Sequence, residues 1–146
     1  MQEGVIAGFA VQRVFVAVTD GKEHPVDSKP IAFEIAGREA FKLAVKDAGP
    51  AMLEPIVLLE VVVPEANMGD VLGDLNTRRA RVQGMDTKLG KSVVTAEVPL
   101  AEVQRYVTDL RSITQGRGVF SLEYVRHEQL PTHLTQTIID KSKEDE

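Results

Sequence analysis

From Gln12 to Thr19 the chain alternates, with Val14, Val16 and Val18 set against Arg13, Phe15, Ala17 and Thr19. A period of two is that of a strand with one buried face. Asp20-Gly21 reads as a turn, and Lys22 to Val26 has the length of a returning hairpin arm. Asp27-Ser28 ahead of Pro30 is a helix start. Ser28 is the candidate N-cap, and the amide that proline lacks would have no partner in a first turn. The helix is predicted over residues 30–48, ended by Gly49-Pro50 through left-handed capping and then a missing donor.

Leu53-Glu54-Pro55 is the best boundary, because a proline there follows a helix stop and precedes a new apolar run, Ile56 to Val63. Beyond it lies a repeat. VVPEANMGDVLGDL, Val62 to Leu75, aligns without a gap on EVPLAEVQRYVTDL, Glu97 to Leu110, at an offset of 35. Pro64 matches Pro99, Ala66 matches Ala101, Asp74 matches Asp109 and Leu75 matches Leu110. Met68, Val71, Leu72 and Leu75 form one helical stripe; Val103, Val107 and Leu110 form nearly the same one. Strands are predicted before each helix (56–63 and 92–98) and after it (81–86 and 119–125). Two such units in tandem give βαββαβ, a ferredoxin-like α+β sandwich with two helices over a four-stranded antiparallel sheet. Leu130-Pro131 opens a last helix over residues 132–141, which frays into an acidic tail. The expected segments are 1–53, 54–128 and 129–146.

With 43% hydrophobic residues in 146 there is enough apolar material for real cores, built mainly from Val, Leu, Ile and Ala because Phe and Tyr together number seven and Trp is absent. The chain has no cysteine, which excludes disulfides, thiolate catalysis and thiolate metal sites and makes the cytoplasm the default compartment. No run of about 18 apolar residues predicts a membrane span, and no leader pattern is visible. A net charge of -5 argues against a general nucleic-acid coat. That average hides an asymmetry: Arg78, Arg79, Arg81, Lys88 and Lys91 stand together against the single anion Asp86. One region could meet phosphate.

Gly116-Arg117-Gly118 has a plain explanation, a helix stop and a strand start around a solvated cation. Its functional reading is a backbone free to approach phosphate, with Arg117 supplying a forked contact. The matching loop of the first repeat carries Arg78, Arg79 and Arg81, and the internal symmetry suggests that both loops share one basic edge. His24 lies in the polar loop GKEHPVDS, where a histidine is ordinarily just exposed. His127 and His133 match no zinc spacing, and no metal site is expected. No nucleophile-base motif appears, nor GxxxxGK[ST], nor GxGxxG, so no catalytic residues are assigned. A small phosphatase using Asn76 and Arg117 would rest on fold analogy alone.

Three strings then resemble one family: VDSKPIAFEIAGREAFKLAV, LEPIVLLEVVVPEANMGDVLGDLNTRRARVQGM and AEVPLAEVQRYVTDLRSITQGRGVFSLEY. They are similar to the last two domains of bacterial translation elongation factor G, from about Gly4 to Pro131, while the GTPase domain has no counterpart here. The resemblance implies that residues 1–53 are the second half of domain IV, a partial ribosomal-protein-S5-like βα unit. Residues 54–128 would be the ferredoxin-like domain V, followed by the C-terminal helix. The implied partners are the ribosome (rRNA and stalk-base proteins) and, at the decoding region, tRNA and mRNA. GTP and magnesium would belong to the absent domain, leaving no cofactor in this chain.

By resemblance, Gly21, Lys22 and His24 lie at the domain IV tip, where an imidazole meets RNA. Arg78, Arg79, Arg81, Gln115 and Arg117 would act where domain V docks near the ribosomal stalk base and large-subunit RNA. The chain departs from the usual pattern at Lys29-Pro30-Ile31 (usually Ser-Glu-Met), at Ala80 (usually Gly) and at Lys22-Glu23 (usually Ser-Tyr), which suits a divergent second copy of the factor. A family strand and helix that ordinarily precede Gly4 are missing, so strand 12–19 is expected to lack a sheet neighbour and to drive a dimer or segment exchange through residues 1–52. The competing reading is a standalone ferredoxin-like regulatory or ligand-binding module.

Overall fold

The structure is a computed structural model that describes residues 4–144. The chain divides into two compact units: Leu53–Gln129, and the residues up to Met52 together with those from Leu130 onward.

In the Leu53–Gln129 unit the order is β1 (Leu53–Pro64), α2 (Met68–Thr77), β2 (Arg81–Lys88), β3 (Lys91–Pro99), α3 (Tyr106–Thr114) and β4 (Val119–Gln129). The sheet order is β2-β3-β1-β4, antiparallel at every pairing. This is the α+β sandwich that the repeat predicts. Alternation decides which face the helices cover. Val57, Leu59, Val61 and Val63 of β1 pair with Val98, Ala96, Val94 and Ser92 of β3, and all eight are buried. Val71 and Leu75 of α2 and Tyr106 and Leu110 of α3 close over them. The Tyr106 ring meets Phe120 edge to face at 5.2 Å. At the start of the sheet Leu53 pairs with Gln129, and beyond it the Leu130 N–H donates to the Met52 carbonyl at 2.9 Å.

One stripe differs from expectation. Val107 is 46% exposed and Tyr106 takes the buried place. The chain before α3 winds as a tight 3-10 turn, Leu100–Val103, and the buried stripe runs Val103, Tyr106, Leu110, at i, i+3 and i+7, with an aromatic ring at the i+3 place. Tyr106 is also the residue that the offset of 35 aligns with Val71.

In the other unit α1 spans Pro30–Asp47, and Gly49 follows it at φ +71, the left-handed stop its sequence calls for. The helix α4, Thr132–Glu144, belongs to this unit. The strand expected over residues 12–19 is not formed, nor is the hairpin arm 22–26. Among the described residues the only sheet is the one within Leu53–Gln129, so these segments find no neighbour for their amides and carbonyls. Phe15 and Val18 stand 92% and 90% exposed as a result. Ser28 is not the N-cap either. Lys29 holds that position without a side-chain bond, and the Ser28 hydroxyl instead accepts the His24 N–H at 2.6 Å.

Gly118 enters β4 against the end of α3. Thr114 Oγ1 donates to the Leu110 carbonyl (2.7 Å) and accepts the Gly118 N–H (2.8 Å), and a Cβ on Gly118 would lie 2.9 Å from that oxygen and 3.0 Å from Leu110 Cγ. Gly118→Ala is expected to destabilise the chain by about 1–3 kcal/mol. Gly69→Ala, in open space on α2, should be neutral or stabilise by up to about 1 kcal/mol. Urea unfolding midpoints of the two variants check the contrast, and equal shifts would contradict it.

Candidate functional site

Strand direction fixes where each loop emerges. β1 and β2 run the same way because both are antiparallel to β3, and β4 runs with β3 because both are antiparallel to β1. The loop after α2 therefore lies at the end where β1 begins, and the loop after α3 lies at the end where β3 begins. The shared basic edge is not formed. Arg78, Arg79 and Arg81 stand towards one end of the sheet, and Gln115 and Arg117 at the other.

At the first end Arg78, Arg79 and Arg81 all face carboxylates. Arg78 donates from Nε to Asp74 Oδ2 (2.8 Å), from Nη2 to Asp109 Oδ2 (2.6 Å) and from Nη1 to the Glu102 carbonyl (2.6 Å). Its guanidinium lies 5.2 Å from the Tyr106 ring centre. Asp74 and Asp109 are the carboxylates that the repeat relates, so one cation closes both halves of the module. The Asp74 bond, opposed by burial and aided by Asp109, holds Arg78 above the ordinary arginine range. Arg79 adopts a left-handed φ of 58° and turns back onto Glu54 through two bonds (2.8 and 2.9 Å), with Glu102 at 3.2 Å. Arg81 reaches Glu128 at 2.8 Å, and Arg126 grips Glu97 at 2.7 and 3.0 Å while also bonding Glu128. The Arg126 guanidinium holds Glu97 below the usual carboxylate range. Four guanidinium groups meet six carboxylates, Glu54, Asp74, Glu97, Glu102, Asp109 and Glu128, so Arg78, Arg79, Arg81 and Arg126 are all engaged within the protein. Arg105, exposed just before α3, has no carboxylate partner among the described residues.

The opposite end has the reverse character. Lys91 and Arg117 flank a shallow depression floored by Val62, Val63, Pro64 and Val119. Arg111, in the last turn of α3, adds a third cation, and Lys88 pairs with Asp86 at 3.0 Å. Arg117 makes one long bond, Nε to the Thr114 carbonyl at 3.4 Å, and among the described residues no carboxylate pairs with Lys91, Arg111 or Arg117. Gln115 and Gly116 take consecutive left-handed conformations, φ 53° and 80°, which turn the chain so that Arg117 stands out beside the sheet. Lys91 belonged to the basic run visible in the sequence. Arg111 was missed, although its place on the exposed side of α3 was a usable signal.

The third cluster is the His24 loop, in the other unit. Gly21 donates its N–H to Asp20 Oδ1 at 2.7 Å, and Lys22 is exposed. The Val26 and Asp27 amides both point at His24 Nδ1 at 3.3 Å, with Asp27 Oδ2 at 3.4 Å from the same nitrogen. Among the described residues no group of three His, Asp or Glu could hold a metal, and no helix is long and apolar enough to cross a membrane.

The family model described as elongation factor G, domain IV matches residues 1–49, and the one described as elongation factor G C-terminus matches residues 51–138. The chain belongs to the elongation factor G family. A crystal structure of a protein from Thermus thermophilus is similar at 43% identity with a TM-score of 0.83, over 98% of this chain. This chain spans 22% of that protein's length. The matched parts are a region of a translation elongation factor, and neither is the family's GTPase domain.

Burial pushes the Tyr106 hydroxyl up to about 12 from 10.0, with the nearby Asp74 charge adding to it. A raised phenol pKa means that the unfolded chain loses its proton first, so stability is complete below pH 10 and falls as pH rises from 10 towards 12. Phenolate absorbance of the native chain should show Tyr106 silent until about pH 12, and Tyr106→Phe should flatten the alkaline loss of stability. A Tyr106 that ionises in the ordinary range would contradict the packing described.

Proposed function

We propose that this chain is the ribosome-binding C-terminal region of a translation elongation factor of the G type. It contributes to the GTP-dependent translocation of tRNA and mRNA, acts in the cytoplasm and performs no catalysis of its own. The observation that carries this reading is the pair of consecutive family matches over residues 1–49 and 51–138. The Gly21, Lys22 and His24 loop is the part that meets tRNA and mRNA at the decoding region. Gln115 and Arg117, joined by Lys91 and Arg111, meet rRNA beside the stalk-base proteins, because at that end three cations stand close together without a carboxylate partner among the described residues. Arg78, Arg79 and Arg81 act on the interface by holding loops in shape.

Co-sedimentation of the chain with bacterial ribosomes over a salt series tests this. Binding should weaken linearly in log salt, and Arg117→Ala should lower that slope by about one phosphate contact. Arg78→Ala should leave the slope unchanged while costing about 2–4 kcal/mol of stability through the carboxylates it strands. Binding that ignores salt, or none at low salt, would end the proposal.

Residues 1–52 also support self-association, by dimerisation or segment exchange, since Phe15 and Val18 are almost fully exposed on a segment without strand partners. Sedimentation equilibrium should show mass rising with concentration, and a monomer at high concentration refutes it.

A further inference from the structure

The His24 loop fixes more than the position of a side chain. Pro25 has no N–H, so the first amides available after His24 are those of Val26 and Asp27, and both converge on His24 Nδ1 at 3.3 Å. A side chain that accepts from the amides two and three residues ahead, with proline between, makes the bonds of an N-cap, and here His24 makes them over the turn of residues 25–27, in the place usually held by Ser, Thr, Asp or Asn. The backbone of His24 is tied in turn. Its N–H donates to Ser28 Oγ at 2.6 Å, closing the loop across four residues.

A ring nitrogen can accept only when it carries no proton. We infer that the neutral His24 ring is held as the Nε2–H tautomer and acts on RNA as an uncharged hydrogen-bond donor, with Ser28 as its positioning residue. The competing arrangement puts a proton on Nδ1 and aims it at Asp27 Oδ2, which lies 3.4 Å away and makes no hydrogen bond in the observed geometry. Two amides against one carboxylate favour the accepting nitrogen. The side chain is 65% exposed, and among the described residues nothing bonds to Nε2, which leaves that N–H for a partner. What it fits is a lone pair: a ribose oxygen, or a base carbonyl or ring nitrogen of an unstacked nucleotide. Because the donor is uncharged, its share of binding should not depend on salt, unlike that of Arg117. The identity of the acceptor rests on the proposed function; the tautomer does not.

Long-range proton–nitrogen correlation NMR on the whole chain at about pH 8, above the ordinary histidine range, reads the tautomer directly. His24→Gln assigns the signals among the three histidines. The expected result is an unprotonated Nδ1 and a protonated Nε2, a mixture of tautomers in Ser28→Ala, and restoration in Ser28→Thr. A native ring protonated at Nδ1, or freely exchanging between the two forms, overturns the inference. In the ribosome assay His24→Leu should weaken binding by about three- to tenfold at every salt concentration. His24→Gln, which keeps a donor near the Nε2 position, should lose less. A slope that falls by about one in His24→Leu would mean that the ring acts as a cation and would also overturn it. An Nε2–H ring on a chain that binds no ribosome would uphold the tautomer and sink the proposed function instead.

Discussion

The guanidinium of Arg78 joins the two halves of the repeat through a single side chain. It is largely buried, and the position is tolerable only because Asp74, Asp109 and the Glu102 carbonyl accept its protons while the Tyr106 ring lies beside it. Asp74 precedes Arg78 by one turn of α2, whereas Glu102, Tyr106 and Asp109 come from the second repeat, so the clamp closes only after α2 and α3 have both docked on the sheet. The hydrophobic core specifies that docking coarsely, and the charge network adds a register. A helix displaced by one turn would leave a desolvated cation facing the wrong atoms.

The antiparallel register turns this local arrangement into a polarity of the whole sandwich. Because successive βαβ halves run in opposite directions, their equivalent loops cannot share an end. One end is a closed network in which carboxylates outnumber arginines. The other keeps Lys91, Arg111 and Arg117 beside a small apolar floor. A chain with an overall charge of -5 thus carries, at one end of the sheet, cations without carboxylate partners among the described residues, which the total hides and the sheet topology resolves.

Much of this was legible in the amino-acid order. Valine alternation located β1 and β3, the gapless repeat supplied the βαββαβ order, and Pro30 with Gly49 bounded α1 closely. What escaped was whatever depends on a distant partner. Residues 12–19 have a strand's alternation, yet alternation cannot supply a neighbour to bond with. Val107 was favoured over Tyr106 because only aliphatic positions were counted, although Tyr106 stands at the i+3 place of the same stripe and its ring packs on Phe120. The arginines read as free cations because Glu54 and Glu128, which neutralise Arg79 and Arg81, lie 25 and 47 residues away in sequence. Ser28 has the right chemistry for a cap, and the His24 amide claims it first.

The pairing of Leu53 with Gln129 brings the two ends of the sandwich together as adjacent, oppositely running strands. Tension applied through the flanking residues would therefore load the outermost rung alone and part β1 from β4 one hydrogen bond at a time, where strands pulled from opposite ends would resist in shear with all rungs at once. The sandwich is mechanically soft when pulled from its own two ends, and the core residues further along β1 stay covered until several bonds have opened.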